Sequence, residues 1–143
     1  MIKSIINQFI IKITPFLPRW IVWKIAERYV AGETITKSLE VVRQLNEKGF
    51  SATIDILGEH TKSEAEADEI TRDYLKIYDK IFQQGLDCNI SIKPSHIGLD
   101  ISNKILQRNL DKLLSKAEET HNFLRIDMES SVITDVTISL FKR

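Results

Sequence analysis

Lys93 and Asp127 each close a short segment in which apolar and polar residues alternate, and 34 residues separate them. A lysine held at such a point can bind a carboxylate. An aspartate beside it stays ionised and accepts hydrogen bonds from an amine or a cofactor. The same two groups serve equally well as a structural ion pair, and spacing alone does not choose. Arg125 lies one step deeper on the same side and is expected to pair with Asp127 or Asp55. Asp55 and Glu59 flank the end of an earlier alternating segment, where Glu59 also reads as a solvated loop acid. His60, His96 and His121 have no common spacing, so a metal triad is not expected. His96 follows Lys93 by three residues and is the one histidine kept as a pocket candidate. GxGxxG, P-loop, GxSxG and HExxH patterns are missing, so a dinucleotide or nucleotide site of those types is not indicated.

Three strands must position these groups: Ser51 to Leu57, Cys88 to Lys93, and Phe123 to Glu129, the last ending as a strand at Asp127. Strand side chains alternate between faces, so Ile54 with Ile56, Ile90 with Ile92, and Leu124 with Ile126 line one side. Thr53, Asp55, Asn89, Ser91, Lys93, Arg125 and Asp127 line the other. Strands joined by long helical stretches should run parallel, and parallel strands are ordinarily near-continuous apolar runs because both faces are covered. Here one face is polar, which costs desolvation unless its charges meet one another or a ligand.

The connecting helices carry their own punctuation. One is expected over about Thr36 to Lys48, with Leu39, Val42 and Leu45 on one side and Gly49 as its stop. Ser63 and Glu66 have capping-box spacing ahead of Ile70, Tyr74, Ile77 and Ile81, and Gly85 ends that helix. After a loop from Pro94 to Ile101, Ser102 or Asn103 caps a helix whose buried face would be Leu106, Leu110, Leu113, Leu114 and Ala117. A last helix begins at Ser131 or Thr134, against the weak helical preference of its β-branched residues. The strands recur at 38 and then 34 residues, from Ile54 to Ile92 to Ile126. A (β/α)8 barrel averages roughly 31 per unit, about 250 over eight. The expected fold is therefore α/β, a partial (β/α)8 TIM barrel of about three βα units, with helices over residues 1–48 and barrel units over 49–143. An open doubly wound sheet has similar periodicity but would bury the polar face under helices.

With 143 residues, 43% hydrophobic and 28% charged, the chain has the profile of a soluble globular protein. Its zero formal charge provides no basic footprint for nucleic acid. The single Cys88 is expected to be a small buried hydrophobe in a reducing compartment, which fits a cytoplasmic protein. Ile2, Ile5, Ile6, Phe9, Ile10 and Ile13 have helical spacing, and Pro15 and Pro18 separate them from a second helix over about Pro18 to Val30. The first stretch is too short for a membrane span and lacks signal-peptide features. Five basic residues up to Val30 against Glu27 alone would suit peripheral contact with the inner face of a membrane; packing across one end of a domain is the plainer expectation.

Four segments in order bear a resemblance: Tyr29-Val-Ala-Gly-Glu-Thr34, Ala52-Thr-Ile-Asp-Ile-Leu-Gly-Glu59, Asn89-Ile-Ser-Ile-Lys93 with Ile97-Gly-Leu-Asp100, and Leu124-Arg-Ile-Asp-Met-Glu129. Together they resemble the proline dehydrogenase family, flavoenzymes on a distorted (β/α)8 barrel. The resemblance implies FAD-dependent oxidation of L-proline to 1-pyrroline-5-carboxylate, with electrons passing to a membrane quinone. It implies that Lys93 contacts the proline carboxylate, that Asp127 is the active-site acid beside the flavin, and that Met128 meets FAD through its backbone. Asp55 and Glu59 would shape and close the mouth. Pro94-Ser95-His96 departs from the Leu-Thr-Gln type sequence that follows the lysine in relatives. The family's flavin-facing arginine and its C-terminal arginine pair have no counterpart here. The alternative reading is accordingly a catalytically incomplete fragment that needs a partner or the missing C-terminal half.

Overall fold

Residues 30–142 and Pro18 are described by the computed structural model of the chain. The expected helices over Ile2 to Ile13 and Pro18 to Val30, and the membrane-contact reading tied to them, lie outside the described residues. The chain divides into two compact units, residues 1–38 and 39–143. Thr34 opens helix α1 (Ile35–Glu47), its hydroxyl accepting from Lys37 N at 3.3 Å, and the part of the helix from Leu39 onward belongs to the second unit.

Leu39 and Val42 give α1 its buried stripe, and Gly49, at φ +82, stops it where an L side chain would be strained. Strand β1 (Ala52–Ile54) follows. Helix α2 (Glu64–Gln84) starts at Ser63, whose hydroxyl accepts from Glu66 N. Glu66 returns the contact one residue further back than the usual capping box, accepting from Lys62 N at 2.8 Å. Gly85 ends α2 in the left-handed conformation, as its place in the sequence predicts.

Strand β2 (Cys88–Ile92) leads into a buried 3-10 turn (Pro94–Ile97). Helix α3 (Asn103–Glu119) takes Ser102 as its cap, settling the choice between Ser102 and Asn103. Leu106, Leu110, Leu113 and Ala117 are buried on it, but Leu114 is 46% exposed. The expected inclusion of Leu114 in the buried face is corrected: a fifth apolar residue widens the stripe beyond what the sheet and α2 can cover. Strand β3 (Leu124–Ile126) is followed by a 3-10 turn (Ser131–Ile133) and helix α4 (Thr134–Phe141). The β-branched residues of α4 do not prevent it. Thr137 instead returns its hydroxyl to Ile133 O at 3.0 Å.

The strands form one parallel sheet in the order β1-β2-β3. Ile54 pairs with Ile90, Ile90 also with Leu124, and Ile92 with Ile126. Register therefore carries alternation across all three strands in phase. Ile90 and Ile92 are buried, with Tyr74, Ile77, Tyr78 and Ile81 of α2 and the stripe of α3. On the opposite face Thr53 and Arg125 are exposed. Buried hydroxyls need partners, and Tyr78 donates to Phe123 O at 3.1 Å, tying α2 to the start of β3. Burial pushes the Cys88 thiol up to about 11, consistent with a packed hydrophobe. Among the described residues, no helix is long and apolar enough to cross a membrane.

Candidate functional site

Ile92 and Ile126 are the last register pair of β2 and β3, so Lys93 and Asp127 leave the sheet side by side at its C-terminal edge. Asp127 N continues the ladder by donating to Ile92 O at 2.8 Å. The expectation that the two share one rim is met. They stand one residue past the strands rather than on them, which leaves their backbones nearer the loops than the sheet.

Their ion pairs differ from the simplest expectation. Lys93 Nζ donates to Asp55 Oδ2 at 3.0 Å, and Asp127 is taken by Arg125 Nε at 2.9 Å. A direct structural pair between Lys93 and Asp127 is thus corrected: each finds a different partner along the same face. Arg125 also reaches Thr53 Oγ1 at 3.4 Å, spanning β1 to β3 across the open side. The hydrogen bond that Lys93 donates to Asp55 raises the ammonium's pKa against the opposing effect of burial, with the charges of Asp55, Glu59 and Asp127 adding to it. Burial pushes the Asp127 carboxyl upward, but contacts from Ser91 and Arg125 and the charges of Arg125 and Lys93 outweigh it and hold the group below its ordinary value. Lys93 therefore stays charged and Asp127 stays ionised.

Tyr74 is a participant that sequence reasoning placed only in the core. Its hydroxyl donates to Asp55 Oδ1 at 2.9 Å and accepts from Ile56 N at 3.2 Å. Asp55 is thereby held by one partner from the helical layer and one from the open face. Burial drives the Tyr74 hydroxyl upward, so it remains a neutral donor. A helix-spaced tyrosine reads as core until one asks where its hydroxyl goes.

His96 is buried, with Nδ1 lacking a hydrogen-bond partner, and burial lowers its ring below the ordinary histidine value. It packs beneath Gly58. A Cβ added to Gly58, where φ is +148, would stand 2.6 Å from His96 Nε2. Among the described residues, then, His96 is a packing group under the β1–α2 loop. Glu59 is exposed in that loop. His60 beside it takes a left-handed φ of 57, and its Nδ1 lies 2.6 Å from Asp100 Oδ2.

Two groups on the polar side of β2 lack internal partners. Ser91 Oγ is fully buried and its contact to Asp127 falls short of full hydrogen-bond geometry; Asn89 Oδ1 is also unpartnered. Unsatisfied polar atoms beside an ionised carboxylate and a charged lysine make a face equipped for a polar ligand. A mostly apolar cavity of about 410 Å³ runs along β3 between Phe123, Met128, Ile138 and Phe141, and Arg125, the partner of Asp127, and Thr137 also line it. Met128 is 58% exposed there.

Comparison with known proteins decides what this arrangement belongs to. The family model described as proline dehydrogenase matches residues 38–143. The chain belongs to the proline dehydrogenase family. It is 36% identical over 118 residues to proline dehydrogenase 1 of Bacillus subtilis subsp. natto, covering 82% of this chain and 39% of that protein. It is 32% identical over 129 residues to proline dehydrogenase of Deinococcus radiodurans, covering 88% of this chain and 42% of that protein. Among solved structures, proline utilization A from Bdellovibrio bacteriovorus inactivated by N-propargylglycine matches with a TM-score of 0.73 at 23% identity, over 84% of this chain and 15% of that one. That likeness supports the α/β fold with its small parallel sheet. This family member spans about two fifths of the length of the curated relatives it matches.

Proposed function

We propose that this chain carries the first βα units of a (β/α)8 barrel, with residues 1–48 as an N-terminal helical segment, and takes part in FAD-dependent oxidation of L-proline to 1-pyrroline-5-carboxylate. One observation carries the reading. In a proline dehydrogenase family chain, a charged lysine and an ionised aspartate leave adjacent parallel strands at one rim, on the face the helices leave open.

The residues present fit a flavin and its substrate. Lys93 offers an ammonium to the proline carboxylate. Asp127, kept ionised, accepts a hydrogen bond from the substrate amine or the cofactor. Met128, the next residue in sequence, would hold FAD through its backbone. Ser91 Oγ and Asn89 Oδ1 are unpartnered polar atoms on the β2 side of the same face. When bound, FAD supplies the two-electron acceptor for the hydride that leaves the proline ring. The chain's own part is to hold the carboxylate, orient the ring and keep a negative charge beside the amine. Asp55 and Glu59 shape the mouth from the β1 side, and a membrane quinone is the onward acceptor.

A second reading is favoured by the outer edge of β3, where Phe123, Met128 and Phe141 are exposed beside an apolar cavity. On this reading the chain is catalytically incomplete until further strands or a partner cover that edge. Mixing the purified chain with FAD and L-proline separates the two. Flavin absorbance that co-purifies and bleaches on adding proline supports the enzyme. Colourless protein with no proline-dependent dye reduction supports the incomplete fragment. In a chain that turns over, Lys93→Ala is expected to raise the KM for proline about tenfold to a hundredfold, the range for losing a hydrogen bond to a charged group. An unchanged KM would remove Lys93 from the assignment.

A further inference from the structure

Three loops leave the C-terminal edge of the sheet, and one residue joins them. Ser95, fully buried in the 3-10 turn after β2, donates both its N–H, at 3.0 Å, and its hydroxyl to the Glu129 carboxylate beyond β3. In the other direction Ser95 O accepts from Thr61 N at 3.2 Å and from Thr61 Oγ1 at 3.1 Å. Ser95 Oγ also accepts from His60 N at 3.2 Å. Thr61 is itself buried, at 3% exposure. The chain of contacts runs from Glu129 through Ser95 to His60 and Thr61, and so crosses from the β3 loop to the β1–α2 loop.

Each anchor adjoins a candidate site residue. Glu129 is two residues past Asp127, Ser95 two past Lys93, and His60 next to Glu59. The carboxylate is suited to its place because its two oxygens accept two donors from one residue at once. Removing it strands a buried N–H at the first turn of the 3-10 segment. His60 holds a left-handed φ, a conformation that non-glycine residues keep only where surrounding contacts fix it.

We propose that Glu129 is the positioning residue of this rim: through Ser95 it clamps the turn after β2 and the loop after β1, fixing where Lys93 stands relative to Asp55 and Asp127. The inference rests on the assignment of Lys93 and Asp127 given above. Glu129 touches neither substrate nor cofactor in this role and acts only through Ser95.

The test uses the isotope-labelled 143-residue chain without proline or FAD, following amide exchange by NMR together with titration of the Lys93 ammonium. Glu129→Ala is expected to accelerate exchange at Ser95 and Thr61 by about tenfold, the scale of one lost buried hydrogen bond, with the amides of Leu110 and Leu113 in α3 unmoved. Lys93 should then titrate at lower pH, toward an ordinary lysine, because its hold on Asp55 loosens; Glu59 and Asp127 are the other charges facing it. Ser95→Ala should give the same Lys93 shift, and Glu129→Gln, which keeps one acceptor, a smaller one. Ser102→Ala serves as a control that weakens α3 without touching the clamp and should leave Lys93 unmoved. Unchanged exchange and Lys93 titration in Glu129→Ala would overturn the proposal. Should Glu129→Ala fail to fold, Glu129→Gln decides alone: faster exchange at Thr61 supports the clamp, and unchanged exchange rejects it. Neither readout involves proline or flavin, so loss of the clamp and loss of the proposed activity are told apart.

Discussion

The two faces of the same three-stranded sheet are built for opposite purposes. Beneath the helices, Ile90 and Ile92 are sealed to 0% and 1% exposure among the apolar residues of α2 and α3. On the other side, Lys93, Asp55, Arg125 and Asp127 stand in partial contact with solvent, each ion pair bridging between strands or along one. At the ends of β2 and β3 an apolar position and a site position are consecutive residues, Ile92 with Lys93 and Ile126 with Asp127, so stability and chemistry share the same short segments. The covered face sets the register, and the register then places the polar groups at a common height. A sheet buried on both sides could not present such groups without a heavy desolvation cost.

Changes on the covered face should act far more strongly on stability than changes on the open one. Ile92→Ala, at a fully buried position, is expected to lower unfolding free energy by about 2–5 kcal/mol in urea denaturation. A loss below about 1 kcal/mol would show that the sheet is not packed as described. Tyr74→Phe tests the link between the faces. It deletes the hydroxyl that serves Asp55 and Ile56 N, and a cost of about 1–3 kcal/mol is expected in the same measurement, with Lys93 titration shifting as Asp55 is freed to move.

The smallest effect belongs to the open face. Asp127 is held below its ordinary value in the folded chain, so its contribution is present above the unfolded carboxylate pKa, about 4, and is lost as pH falls through the depressed value. Arg125→Ala removes a half-exposed partner and should cost under about 1 kcal/mol at neutral pH. The measurable signature is a flatter acid limb below about pH 4, the unfolded carboxylate value, in the stability profile. An acid limb identical to that of the unaltered chain would mean that Arg125 does not depress Asp127.

Much of this was legible residue by residue. Gly49, Gly85 and Ser63 mark helix ends because left-handed φ and side-chain capping have few alternatives. Leu114 misled, since apolar spacing reports which residues could be covered and not how far the neighbouring layer extends. Ser95, Thr61 and Glu129 went unread as a group. Nothing in their types or spacing relates a serine in one loop to a glutamate 34 residues later.

Alternation with a period of two, broken by helices of suitable length, was enough by itself to determine that three strands run parallel with their polar sides in phase. That follows from local geometry, which each segment carries independently. Which charge meets which was decided only on folding: Lys93 had Asp127 beside it in register yet closed on Asp55, two strands being able to offer a carboxylate at similar reach. Choices of that kind turn on side-chain direction and on competing partners such as Arg125 and Tyr74, and these exist only once the strands are side by side.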